Sequence, residues 1–169
     1  MNILIKTMNN NLRLLDNTFK GLIAVYLIVL SVGVGLGLTY IYMTTNMTPS
    51  GMSEQYLGND NDWEPKLPKT IIDLVSHAHD HIVFFSIIFF SLGLIFSMTT
   101  IVNPFWKLFL IFEPFLSILV TFSGFFIIRF VNPYFSYIVI VSSVLMYICF
   151  YVMVLLILYE LFLFKDDSC

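Results

Sequence analysis

The sequence predicts an all-α membrane protein with four transmembrane helices and both termini on one side, most simply the cytoplasmic one. Three observations carry that expectation. The 169-residue chain is 59% hydrophobic and only 11% charged, with eighteen phenylalanines, more apolar surface than a soluble domain of this length can hide from water. Four apolar runs each reach the ~20 residues that a helix needs to cross a ~30 Å hydrocarbon core. The stretches between them carry the turn signals Asn103-Pro104 and Asn132-Pro133 and one longer polar loop. A formal charge of −3 offers no basic patch, which argues against a nucleic-acid partner. Cys149 lies within the fourth run and Cys169 at the far end of the chain, so a mutual disulfide would have to join mid-membrane to an end.

Residues 1–20 mix Lys6, Arg13, Asp16 and Lys20 with Leu12, Leu14, Leu15 and Phe19, the pattern of a short amphipathic helix lying at the interface. The bundle proper then runs over residues 21–165. Its first span covers Gly21 to Met43, too long and too poor in a small-x-small site for a cleaved signal. Within it Gly33 and Gly37 form a small-residue pair that lets two helix backbones approach. Packing inside the bundle is the favoured use of that pair, ahead of homodimerisation. Residues 44–70 form a polar loop with Glu54, Asp60, Asp62 and Glu64, in which Tyr56 and Trp63 are candidate headgroup anchors. This loop is placed to act as a lid or a docking surface. Pro65 and Pro68 end any helix before the second span begins.

The second span covers residues 71–98, opening with Thr70 and Asp73 in the first turn, where an acidic group suits the helix dipole. The third, residues 105–130, contains Glu113-Pro114, and the proline predicts a kink. Glu113 lies toward the inner end, where snorkelling or capping outweighs a proton path. The fourth span covers residues 134–164. Five of the eight Lys and Arg residues (Lys6, Arg13, Lys20, Lys107 and Lys165) fall on the termini side, a modest bias toward termini inside. The loop then faces a periplasm or equivalent compartment, together with Arg129, and the host membrane is a bacterial or mitochondrial inner membrane.

All three histidines, His77, His79 and His81, lie within five residues at the start of the second span. Neighbours on a helix surface are three and four residues apart, so Asp73, His77, Asp80 and His81 share a face while His79 projects elsewhere. Imidazole and carboxylate at that spacing make a candidate site for Zn, Cu or Fe held by His77, His81 and Asp73 or Asp80, with Asp60 or Glu54 completing the shell. A b-type haem is the other candidate cofactor. Axial imidazoles in a bundle come from two helices, and here one helix holds every histidine, so the second ligand would be Met47, Met52, Met98, Met146 or a partner's histidine. Arg129 suits a haem propionate or, equally, a lipid phosphate. A proton relay through His77, His79 and Asp80 is also open. A bare helix entrance, its polar residues satisfied by each other and by water, remains the rival to all of these. No H-E-x-x-H, nucleophile elbow or phosphate loop occurs, so a freestanding enzyme is not expected.

Ser76-His77-Ala78-His79 before a Phe/Ile-rich run resembles the His-x-His helix starts of catalytic subunits in the haem-copper oxidase and nitric oxide reductase superfamily. That resemblance covers about a dozen residues, and only His77 and His79 have counterparts in it. It implies a small membrane subunit of a respiratory or related redox complex, in electron transport, with His77 and His79 as haem or metal ligands. The expected function is therefore a subunit that holds a cofactor near the outer face or exchanges electrons with a quinol there, among other membrane subunits in a lipid bilayer. The alternatives are a non-catalytic accessory or assembly subunit filling a crevice between larger partners, and a metal or proton transport component.

Overall fold

Each apolar run forms one unbroken helix. The structure, a computed structural model, describes residues 11–60 and 65–163. In chain order its helices are α1 (Asn17–Thr45), α2 (Pro49–Leu57), α3 (Ile71–Ser97), α4 (Pro104–Phe130) and α5 (Ser136–Phe162). The four long helices are long and apolar enough to cross a membrane. At 27 to 29 residues each is about 40 Å long, well beyond the hydrocarbon thickness. End turns therefore reach the interfaces, and His77 and His81, six and ten residues past Ile71, lie about two and three turns in from the loop end of α3.

Side-chain caps set these boundaries. Asp16 accepts from the Thr18 N–H at 3.0 Å and starts α1. This bond holds its carboxyl below the usual carboxylate range. Asn103 caps α4 through the Phe105 N–H at 3.0 Å, with Pro104 in the first turn. Asn132 opens a 3₁₀ turn, Pro133–Phe135, that leads into α5. For α3, Thr70 and Asp73 form a reciprocal capping box, which satisfies two otherwise orphaned backbone donors.

The core lies between α4 and α5, where Ile118, Phe122 and Ile128 meet Val139, Met146, Phe150 and Ile157, all buried. Phe89, Leu92 and Phe96 of α3 close it from one side. Helix α1 stands apart, with Ala24, Leu27, Val34 and Thr45 its only buried residues. The Gly33–Gly37 pair does not seat against a neighbouring backbone: a Cβ at Gly33 would meet nothing within 4 Å, and one at Gly37 only the Tyr147 hydroxyl at 3.9 Å. Tyrosines hold the helix off. Tyr147 and Tyr151 point their hydroxyls at Gly37 and Gly35, Tyr151 donates to the Ser31 carbonyl at 3.4 Å, and Tyr26 bonds Ser91 of α3 at 2.6 Å.

The polar loop contains a helix that its composition hid. Thr48 caps α2 by accepting from the Gly51 N–H at 3.0 Å, and Met52 and Tyr56 are buried beneath it. Gly58 ends it at φ 84°, where a Cβ would stand 2.5 Å from the Lys66 carbonyl oxygen, so only glycine fits. Tyr56 is no headgroup anchor. It is buried and stacks on Phe125 of α4 at 4.6 Å between centroids, and burial raises its hydroxyl above the usual phenol range. Trp63, Asp62 and Glu64 lie outside the described residues.

At the opposite end, residues 11–16 pack against the bundle. Leu12 is fully buried, and its N–H donates to the Met98 carbonyl at 3.4 Å. Residues 1–10 lie outside the described part. Arg13 pairs with the buried Glu160 of α5 at 3.4 Å. Glu160 also accepts from the backbone N–H and the hydroxyl of Thr100 at 2.9 and 2.7 Å. Lys107 donates to the Ser97 carbonyl at 3.2 Å and to the Thr99 carbonyl, closing the C-terminal end of α3.

Candidate functional site

The α3 capping box fixes where the histidines face. Four residues per step on one helix side carries the line from Asp73 through His77 and His81 to Phe85, and all four line a vestibule of about 430 Å³. It opens at the loop end of the bundle. Its lid side is Met52, Gln55 and Tyr56 of α2, and its apolar floor includes Phe122, Phe125 and Met146. This volume suits a small organic molecule.

Two imidazoles stand side by side in its wall. The His77 and His81 rings are 4.1 Å apart between centroids at an interplanar angle of 41°. His81 Nδ1 lies 2.9 Å from the His77 carbonyl and, facing an acceptor, must donate. That leaves Nε2 as the lone-pair nitrogen. Phe122 backs His81 at 5.5 Å and Phe125 backs His77 at 5.9 Å between centroids.

The other candidate residues separate into three groups. Asp80 lines the vestibule with the histidines. Asp73 touches its rim, but its carboxylate is engaged with the Thr70 backbone and hydroxyl at 3.1 and 2.8 Å. His79 is exposed and Arg129 is half-buried, and neither is among the vestibule residues. Arg129 Nε donates to the Lys69 carbonyl at 3.0 Å, and its guanidinium lies 5.3 Å from the Phe130 ring centre, so it straps the loop to α4. Asp60 and Glu54 are also outside the vestibule. Among the described residues no three His, Cys, Asp or Glu side chains converge on one point. Of the methionines weighed as haem ligands, Met52 and Met146 share the vestibule, whereas Met98 ends α3 at the far end of the bundle.

Sequence reasoning passed over several wall residues, including Tyr40, Gln55, Tyr147 and Thr121. Tyr40, Thr44 and Gly37 fall on one α1 side at spacings of three and four, a signal available in the sequence. Two apolar clefts adjoin the vestibule through shared wall residues. An apolar cleft of about 310 Å³ between α1 and α3 shares Gly37, Phe85 and Tyr147 with it. A second, of about 450 Å³ between α1 and α5, shares Ile41, Thr45, Met52, Ser143 and Tyr147. Tyr147 lines both clefts, and the Tyr26 and Tyr151 hydroxyls tie α1 to α3 and α5 beside them.

Glu113 is not where a snorkelling residue would be. It lies nine residues into α4, counted from Pro104, is 9% exposed, and faces inward, where Ser117 donates to its Oε1. The reason is register: Glu113, Ser117 and Thr121 occupy one side of α4 at steps of four, the side turned to α5.

Four apolar helices of spanning length around a polar, partly enclosed vestibule define an integral, multi-pass membrane protein. A family model described as a transmembrane helical domain, Aq_1264_TM, matches residues 46–168, and the chain belongs to that family. The match takes in α2 to α5 and leaves out α1. Comparison with curated proteins and with solved structures gives no match.

Proposed function

We propose that this chain is a membrane subunit of a respiratory or related electron-transfer complex, and that its vestibule takes the polar head of a membrane-soluble quinol. The observation that carries the reading is the joining of a two-imidazole wall to apolar side clefts. A ring with hydroxyl or carbonyl oxygens would bond His77 and His81, with Asp80 nearby. Its apolar tail would leave through a cleft beside α1 into the bilayer. The loop end then faces the periplasm or an equivalent compartment, as the Lys and Arg distribution suggests. The chain acts within a complex rather than as an enzyme by itself, and the His77-Ala78-His79 resemblance supports the same assignment.

Titration of the solubilised chain with a short-chain benzoquinone, followed by quenching of intrinsic fluorescence, tests this. Saturable binding should weaken about tenfold, the equivalent of 1.4 kcal/mol, in His77→Ala. Binding that is unsaturable, or indifferent to both His77→Ala and His81→Ala, would contradict it.

A second reading makes one imidazole of this pair, whose rings are 4.1 Å apart, an axial ligand of a haem b, or both of them ligands of a Cu, Zn or Fe ion. This chain supplies two imidazoles and the thioethers of Met52 or Met146, so a metal would draw its remaining ligands from water or a partner subunit. A reduced-minus-oxidised spectrum with metal analysis separates the two. A haem band or stoichiometric metal lost in His81→Ala supports the second reading, and a blank spectrum removes it.

A further inference from the structure

Three hydroxyls, joined in part through a backbone carbonyl, lead from the vestibule into the bundle and stop at a carboxyl. Thr121 of α4 is a vestibule wall residue. Its hydroxyl donates to Ser142 of α5 at 3.3 Å, and Ser142 donates to the Ser117 carbonyl at 3.1 Å. The Ser117 hydroxyl bonds Glu113 Oε1. From Thr121 to Glu113 the stripe covers about 12 Å of helix. All four residues are buried. Glu113 Oε2 is buried with no hydrogen-bond partner among the described residues. A buried polar atom left unpaired carries a free-energy cost, and ionisable groups inside membranes commonly mark proton or ion pathways.

We propose that Glu113 is an intramembrane proton-binding site that exchanges with the vestibule along Thr121, Ser142 and Ser117. A proton leaves a vestibule donor, water or an imidazolium. Once the Ser142 hydroxyl turns from the Ser117 carbonyl to the Ser117 hydroxyl, each hydroxyl in turn accepts one proton and gives up its own, and Ser117 forms the O–H bond at Oε1. On release the same bond breaks and the proton returns by that route. The groups facing this carboxyl are few. Cys149 of α5 is its other close polar neighbour, and α3 carries no ionisable side chain from Ile82 to Ser97. The nearest cation on α4 itself is Lys107, bound to the end of α3. Holding α4 to α5 would explain the Ser142 bonds, because hydroxyls often join membrane helices. It does not explain an acid whose second oxygen is left open. The proposal is independent of what occupies the vestibule.

Infrared difference spectroscopy of the full chain in lipid vesicles, with a pH or D₂O step applied to one face, tests it. A carboxylic C=O band should respond to the step on the vestibule face, shift in D₂O and disappear in Glu113→Gln. In Glu113→Asp it should persist at a displaced frequency, which guards against a folding failure. Thr121→Val should slow deuterium exchange of the band on the order of tenfold or more while leaving it present. A carboxylic band that ignores pH and D₂O, or one untouched by Glu113→Gln, would overturn the assignment. Unchanged exchange in Thr121→Val, or response only from the termini face, would overturn the route.

Discussion

The two ends of this bundle treat polar groups in opposite ways. At the termini end, Arg13, Thr100 and Glu160 bond one another, and Lys107 is spent on the carbonyls that end α3. There the polar groups tie the segments of the bundle to one another. At the loop end, His77, His81 and Asp80 face about 430 Å³ of space, although α2 and the Arg129 strap organise the surrounding backbone closely. Polar side chains at a membrane interface need partners or a purpose. The termini end supplies partners, and the loop end leaves room for a purpose. The proposed function would thus lie at one end of the bundle and the polar packing at the other.

Substitutions should follow that division. Glu160→Ala removes the acceptor shared by Arg13 and Thr100 and takes the carboxylate away from a partly buried guanidinium. It should cost about 3 kcal/mol in a denaturant or thermal unfolding series, with quinone affinity unchanged at temperatures where the chain is folded. Tyr56→Ala deletes the ring stacked on Phe125 and loosens α2. A loss of about 2 kcal/mol is expected from the buried ring, accompanied by faster proteolysis within residues 49–60. His77→Ala should do the reverse, with binding weakened as stated above and stability altered by less than about 1 kcal/mol. If His77→Ala unfolded the chain while Glu160→Ala did not, the division would be broken.

The smallest effect concerns pH at the start of α1. The Thr18 bond lowers the Asp16 carboxyl in the folded chain. A lowered folded value contributes stability that is present above the unfolded value and lost as pH falls through the folded one. Acid should therefore fray α1 at its first turn, seen as faster amide exchange at residues 17–20, and Asp16→Asn should remove that part of the acid dependence.

Much of the fold was legible because hydrocarbon thickness sets helix length. All four spans are where the apolar runs put them, though the Asp16 cap starts α1 four residues before Gly21 and the 3₁₀ turn delays α5 to Ser136. Helix α2 was not legible as a helix. Its nine residues are mostly polar, and what holds them is burial of Met52 and Tyr56 against the bundle, a tertiary effect. The Thr48-Pro49 start and Gly58 stop were nonetheless present in the sequence. In the site, helical spacing correctly separates His77 and His81 from His79. The same spacing makes Asp73 look like a ligand, yet Thr70-x-x-Asp73 is also a capping signature, and the cap is what forms. Glu113 was misplaced by counting from the membrane edge instead of reading its partners at steps of four, Ser117 and Thr121. Glu160 shows no partner in the sequence, because Arg13 and Thr100 reach it from 147 and 60 residues away.

The open loop end is the claim on which the rest depends, and photoaffinity labelling tests it most directly. A quinone carrying a photoreactive group on its ring would be cross-linked to the full chain in vesicles and mapped by mass spectrometry. The account predicts adducts on vestibule residues such as Tyr56, Phe125 and Met146, suppressed by excess unlabelled quinone and reduced in His77→Ala. Adducts confined to lipid-facing positions, unaffected by competitor, would contradict it.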